Sequence, residues 1–364
     1  MSEIRALLQR VVTGVGERLE ATAARSPRTH AGPPRINAYR GYANRSEAFV
    51  SGRILRDAAV SAADASDPWW RNLLNTYRRM ETDETPGIRL RIRLGERIVD
   101  AVSDEEGHFR ARLGLTEPLP PDRRWHDARI ELVPPAGRAW PIAPVSAPVL
   151  LPAPTATFAV ISDVDDTVIE THATRPVRMM RAVLFENART RRPFAGVPGF
   201  YSRLEQGADG RGPNPFFYLS SSPWNLHDVL VDFLEHNGIP VGPLLLKDWG
   251  LPERGSARPD HREHKLARIE HLLRVYPDLP FLLIGDNGQA DPVIYAETAE
   301  RNPTRIRAVY MREVVEDGRR REAVERAGRA VTACGIPFLA FTATADAVRH
   351  AVQLGLIADE ARAG

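Results

Sequence analysis

One cysteine in 364 residues, Cys334, excludes an intrachain disulfide, and its place just ahead of a strand-like segment marks it as a core position. No apolar stretch reaches about 18 residues, so no membrane-spanning helix is expected. Met1 to Arg10 lack the unbroken apolar run of a signal peptide, because Glu3, Arg5 and Arg10 interrupt it. A cytoplasmic location is the expectation, with peripheral contact at the inner membrane surface as an option. An excess of either charge is missing too. With 49 basic against 47 acidic residues the net charge is +2, and no nucleic-acid footprint stands out despite a pI near 8.8. Lysine is the scarcest of the charged residues: only Lys247 and Lys265 occur, and every other basic residue is arginine. A chain this rich in Arg, Ala and Pro carries a compositional bias. A lysine kept against it points to a need for a compact ammonium rather than a planar fork, with chance survival as the competing explanation.

What the chain does have is carboxylates at the ends of apolar runs. Residues 158 to 167 read Phe-Ala-Val-Ile-Ser-Asp-Val-Asp-Asp-Thr, a buried-looking strand ending in Asp163, Asp165 and Asp166. So much like charge at a buried strand end needs a cation, and a hard oxygen-loving metal such as Mg²⁺ suits it. Strand alternation puts Asp163 and Asp165 on one side, so that one can attack a phosphorus while the other moves protons. A helix cap at Asp166-Thr167 is the plainer reading. A calcium loop fails, because no Gly stands at its sixth place and Thr174, not Glu, at its twelfth.

A second apolar run, Phe281 to Ile284, leads into Gly285 and Asp286 at a strand's carboxyl end, where open α/β sheets bind ligands. Asp291-Pro292 then opens a helix, with Asp291 as its cap or as a holder of the metal. Between the two clusters Phe216 to Leu219 leads into Ser220, Ser221 and Ser222. Ser220 can donate to a phosphoryl oxygen, whereas Ser222 and Pro223 read as the cap and first turn of a helix over Trp224 to His236. Lys265 opens an amphipathic helix leading to the Asp286 strand and can reach the phosphate and the nucleophile; Lys247 is the alternative.

Asp163 and Asp165, then Ser220, then Lys265, then Gly285-Asp286 with Asp291 resemble, in this order, the haloacid dehalogenase-like superfamily. Ser-Asp-Val-Asp-Asp-Thr, Ser-Ser-Pro-Trp, His264-Lys265, Ile284-Gly285-Asp286 and Gln289 to Pro292 with Tyr295 more closely resemble the actin-patch phosphatidate phosphatase family, strongly over residues 155 to 312. Tyr39 to Tyr42 and Gly52 to Leu55 carry the likeness more faintly. The long polar tail of the fungal members is missing, so their protein partners are not carried over.

The resemblance implies a doubly wound, Rossmann-like parallel sheet with its first strand central, flanked by the second and the fourth. It further implies a phosphatase that hydrolyses phosphatidate to diacylglycerol and phosphate at a membrane surface. Asp163 would be the nucleophile, Asp165 the acid and base, and Ser220 and Lys265 the phosphate binders. Mg²⁺ would be held by Asp163, the main-chain carbonyl of Asp165 and Asp286, with Asp291 as a further ligand or as the group that orients one. A phosphatase for a soluble phosphometabolite would share all of these residues, and a scaffold without activity would have lost an aspartate.

The expected organisation is an N-terminal amphipathic helix and linker over 1–35, a small β-sandwich-like accessory domain over 36–150, and the haloacid dehalogenase-like phosphatase domain over 156–360. Residues 3 to 24 place Ile4, Leu7, Leu8, Val11 and Val12 on one side, to pack on the protein or lie on a membrane. Period-two stretches at 88–94, 109–113 and 128–133 read as strands, and Trp69 to Met80 as a helix. Parallel strands are expected near 158–163, 216–220, 243–247, 281–285, 305–310 and 336–341. An insert over 171–195 mixes Arg175, Arg178, Arg181, Arg189, Arg191 and Arg192 with Met179, Met180, Leu184 and Phe185. Such a mixture suits an anionic lipid headgroup, or simply reflects the arginine-rich background.

Overall fold

The period-two stretches are strands for the reason the period implies: one face is buried and the other meets water. A computed structural model describes residues 34–56, 85–135, 142–165, 167–168, 193–210, 213–247 and 261–359. Its first part holds β1 (Pro34–Ala38), β2 (Gly41–Ala43), β3 (Glu47–Arg56), β4 (Arg89–Leu94), β5 (Arg97–Val102), β6 (His108–Gly114), β7 (Trp125–Val133) and β8 (Val145–Leu150). Along β4, Leu90, Ile92 and Leu94 are buried while Arg89, Arg91 and Arg93 are exposed.

Where the sequence predicts a small β-sandwich, the strands are hydrogen-bonded into one mixed sheet in the order β1-β3-β2-β8-β7-β4-β5, with β6 beside β3. The ten-residue β3 makes this possible by pairing with β1, β2 and β6. The pairings are antiparallel except that of β2 with β8. Inward residues such as Ile54, Leu90, Phe109, Ile130 and Val149 share one cluster, so the sheet curls around its own core. The predicted helices at 3–24 and 69–80, and the insert up to residue 192, lie outside the described residues.

From 159 onward strands alternate with helices: β9 (Ala159–Asp163), α1 (Val197–Gln206), β10 (Phe216–Pro223), α2 (His227–His236), β11 (Leu244–Lys247), α3 (His261–Val275), β12 (Phe281–Asp286), α4 (Asp291–Arg301), β13 (Ile306–Arg312), α5 (Gly318–Ala333), β14 (Phe338–Phe341) and α6 (Thr344–Gln353). All six strands are parallel, in the order β11-β10-β9-β12-β13-β14. The expected strands are all present, and β9 lies between the second and the fourth of them. Every residue of β9 and β12 is buried, as a strand covered on both faces requires. One face carries Val160, Tyr218, Ile284 and Tyr310 against α1, α2 and α6; the other carries Ile161, Leu219, Leu283 and Val309 against α3, α4 and α5. Each such side chain stabilises the fold by roughly 1.5–3 kcal/mol. Because the strands are parallel, their carboxyl ends meet along one edge.

From Pro34 onward the described residues form one compact unit. The mixed sheet meets the parallel one through specific contacts. The Tyr42 hydroxyl lies 2.9 Å from His271 Nε2, Asn44 donates to the Val275 carbonyl at 2.8 Å, and Tyr276 donates to that of Ala43 at 3.2 Å. Tyr39 stacks on Trp224 with ring centroids 4.6 Å apart.

Candidate active site

Six residues singled out in the sequence meet at the carboxyl edge. Asp163 closes β9 and Asp165 follows two residues on; Ser220 lies in β10; Lys265 stands in the second turn of α3; Asp286 closes β12; Asp291 is the first residue of α4. All six are buried, Asp163, Asp286 and Asp291 completely. Lys247 closes β11, and its side chain, like residue Asp166, lies outside what is described.

Lys265 Nζ donates to Asp163 Oδ1 at 2.8 Å and to Asp291 Oδ1 at 2.5 Å, so one ammonium bridges two buried carboxylates. Asp291 therefore does not cap its helix: Ala290 holds the N-cap position and no side chain bonds there. The approach is close because residue 285 is glycine. A Cβ at Gly285 would lie 2.5 Å from Asp291 Oδ2 and 2.7 Å from the Tyr295 ring. Tyr295 in turn donates to the Ile284 carbonyl at 3.0 Å.

Asp165 is held differently. Ser220 Oγ donates to its Oδ2 at 2.8 Å, and Ser222 Oγ lies 3.3 Å from both of its oxygens. The hydroxyl expected at a phosphoryl oxygen thus meets the second carboxylate in this structure. Ser222 and Pro223 are not a cap and first turn. β10 runs on to Pro223, a 3₁₀ turn spans Trp224–Leu226, and α2 begins only at His227. Ser222 is a site residue that sequence reading missed, since a serine ahead of a helix looks like a cap.

Thr167 was missed as well; its Oγ1 donates to Asp286 Oδ2 at 3.1 Å. The Gly288 amide donates to Asp286 Oδ1. Behind Asp163, the Ser162 hydroxyl donates to the Asp163 carbonyl at 2.7 Å and pairs with the Tyr201 hydroxyl at 2.8 Å, fixing the end of the strand.

Electrostatics follow from burial. Burial pushes the Asp163 carboxyl well above the usual carboxylate range; Lys265 opposes the rise, and Asp291, Asp286 and Asp165 add to it. Burial works against the Lys265 ammonium, but Asp163 and Asp291 outweigh it and its pKa rises. Taken as a pair these directions conflict, one favouring a proton on the acid and the other an ion pair. The 2.8 Å contact favours the ion pair. The pressure on Asp163 is that of a crowded, buried set of carboxylates, which a divalent cation relieves.

One carboxylate oxygen from each of Asp163, Asp286 and Asp291 lies within 4.8 Å of the others. Asp163 Oδ2 and Asp291 Oδ2 are buried without a hydrogen-bond partner. A close set of buried carboxylates with unsatisfied oxygens is the donor set that a hard divalent cation takes, so the residues fit one.

Comparison with known proteins bears on this part of the chain. Residues 158–313 match the family model described as phosphatidate phosphatase APP1, catalytic domain. Phosphatidate phosphatase APP1 of Saccharomyces cerevisiae is 32% identical over 155 residues, 43% of this chain and 26% of the yeast protein. An uncharacterized protein of Schizosaccharomyces pombe is 27% identical over 161 residues, 44% of this chain and 26% of its own. The chain thus spans about a quarter of the length of these curated relatives. A carbohydrate acetylesterase from Xanthomonas citri aligns over 82% of this chain and 75% of its own at 11% identity, with a TM-score of 0.28. The matched stretch, 158 to 313, contains every site residue described above and is similar to the APP1 phosphatidate phosphatase catalytic domain.

Proposed function

We propose that this chain is a Mg²⁺-dependent phosphomonoesterase of the haloacid dehalogenase-like type, acting on phosphatidate through an aspartyl-phosphate. The observation that carries the reading is Asp163 at a strand end, ion-paired with Lys265 at 2.8 Å and two residues from a second buried carboxylate. Lys265 engages Oδ1 of Asp163, leaving Oδ2 unengaged. A carboxylate oxygen of Asp163 attacks phosphorus in line with the leaving oxygen. Asp165 gives its proton to that oxygen, releasing the alcohol, and then takes a proton from the water that attacks the aspartyl-phosphate. Inorganic phosphate leaves and Asp163 is regenerated.

Ser220 and Ser222 orient Asp165 before substrate arrives. In the complex Ser220 turns to a phosphoryl oxygen, which frees Asp165 to carry a proton. Lys265 offsets charge on the nucleophile and on the transferring group. Asp163, Asp286, Asp291 and the Asp165 main-chain carbonyl would hold Mg²⁺, which supplies further charge neutralisation at the phosphoryl oxygens.

Phosphatidate is the substrate indicated by the family match over residues 158–313. A membrane-surface substrate needs no spanning segment, and no described helix is long and apolar enough to cross a membrane. In domain terms, residues 156–360 are the catalytic part and 36–150 an accessory part that braces α3.

The test is phosphate release from phosphatidate in mixed micelles against soluble sugar and nucleotide phosphates, each with Mg²⁺ and with EDTA. The expected result is Mg²⁺-dependent release with the highest kcat/KM on dispersed phosphatidate. A soluble ester turned over far better would replace the lipid substrate and keep the phosphatase. EDTA-insensitive release would remove the metal.

A further inference from the structure

Arg312 closes β13 beside the site, and nothing in the mechanism above uses it. It is paired in register with Asp286 on the neighbouring parallel strand, so the two side chains leave the sheet on the same face. The Asn287 amide donates to the Arg312 carbonyl at 3.0 Å, locking the two strand ends together. Arg312 is 3% exposed, and its guanidinium lies over two aromatic faces, 4.5 Å from the Phe194 ring and 4.7 Å from the Phe341 ring.

Its Nη1 donates to the Thr342 carbonyl at 3.2 Å and Nη2 to Thr344 Oγ1 at 3.0 Å, and that hydroxyl donates to the Ala195 carbonyl at 2.7 Å. Nε is buried with no partner. Among the described residues no carboxylate lies within ion-pair distance of it. Burial lowers its pKa, yet a guanidinium stays protonated at neutral pH.

A buried cation without an ion-pair partner is costly unless the surrounding field favours it. Here the field comes from the site. Asp163, Asp165, Asp286 and Asp291 are all buried, Asp286 is the one in register with Arg312, and the other buried cation of the site is Lys265.

We propose that Arg312 is a positioning residue of this site, the second buried cation offsetting its carboxylates, acting through Asp286 to set how tightly the cluster holds a divalent cation. The inference rests on the metal-dependent reading above. It has a sign that a merely structural role lacks. Loosening the site weakens cation binding, whereas deleting a nearby positive charge strengthens it and weakens the binding of an anionic ester.

The experiment is Mg²⁺ titration calorimetry on the full chain without substrate, with KM and kcat for a phosphomonoester measured in parallel. Arg312→Met should bind Mg²⁺ about 3- to 10-fold more tightly than wild type, for charges several ångströms apart at a partly screened site. KM should rise while kcat changes less, and Arg312→Lys should restore both. Arg312→Gln carries the same expectation if Arg312→Met does not fold. Unchanged or weaker Mg²⁺ binding in the folded, uncharged variant overturns the proposal, as does a wild-type chain that binds no Mg²⁺. Tighter binding in a chain that hydrolyses no phosphomonoester upholds it and sinks the phosphatase reading instead.

Discussion

Replacing Gly285 by alanine adds a single methyl group, and the structure says where that methyl goes. It would lie 2.5 Å from Asp291 Oδ2 and 2.7 Å from the Tyr295 ring, both closer than carbon accepts, and 3.0 Å from Asp291 Cβ, which is tight. Neither neighbour moves freely. Asp291 is held by Lys265 at 2.5 Å, and Tyr295 is fully buried with its hydroxyl on the Ile284 carbonyl. Relief requires a shift on the order of 1 Å in the Asp291 carboxylate or in the start of α4. Overpacking of this kind costs about 1–3 kcal/mol of stability, a few degrees in Tm, which a unit of this size tolerates. The larger effect is on chemistry. A displacement near 1 Å of a group that positions the reacting centre costs about 10²-fold in rate. Gly285→Ala should therefore stay folded by circular dichroism, bind Mg²⁺ more weakly by calorimetry and lose about 10²-fold in phosphate release. Wild-type Mg²⁺ affinity and turnover in a folded Gly285→Ala protein would show that the close approach has no bearing on the site.

Asp163→Asn should abolish phosphate release and Asp165→Asn lower it by at least ~10³-fold in a steady-state assay, since in the proposed mechanism one removes the nucleophile and the other the proton carrier; normal turnover by folded Asp163→Asn would sink the covalent mechanism. Lys265→Ala should cost far more activity than Lys247→Ala, and Lys265→Arg should not rescue it, because a planar fork cannot sit between two carboxylates 2.5–2.8 Å from one ammonium; the same change strands two buried carboxylates, with an expected loss of about 3–5 kcal/mol in urea unfolding without metal. His271 gives a pH signature. Burial, then Arg268 and Arg274, lowers its pKa below 6.5, so the folded state keeps it neutral while the unfolded state takes up a proton first. Its contribution is present above pH 6.5 and is lost as pH falls through the folded-state value. Urea midpoints at pH 7.5 and 5.5 should thus fall further for wild type than for His271→Gln, and equal falls would refute the linkage.

The carboxyl edge was legible because its signals are local. Each of the runs ending at Asp163, Ser220 and Asp286 is an apolar strand followed by a polar group, and parallel pairing then has to gather them, though Asp163 and Asp291 are 128 positions apart in the chain. Lys265 stood out only because lysine is so rare here. The same background hid Arg312: one arginine among so many gives no signal until its burial and its register with Asp286 are known. Ser222 and Thr167 were illegible for another reason. Hydroxyls near helix starts have a ready local explanation, and only the path of the backbone shows that they turn inward to carboxylates instead. The mixed sheet was readable strand by strand but not as a whole, since the pairing of β2 with β8 joins residues over 100 positions apart and leaves no periodic trace.

The seam between the two sheets has a consequence for how this protein is made. Tyr42 and Phe49 pack on the hydrophobic cluster that includes Phe217, Tyr276 and Phe281, yet those partners are encoded more than 160 residues later. At about 5–20 residues per second, some 230 residues of synthesis separate Phe49 from Tyr276, roughly 10–45 s during which the aromatic side of the first sheet has no partner. The nascent chain therefore exposes strand-rich, aromatic surface well before the carboxyl edge of the second sheet exists.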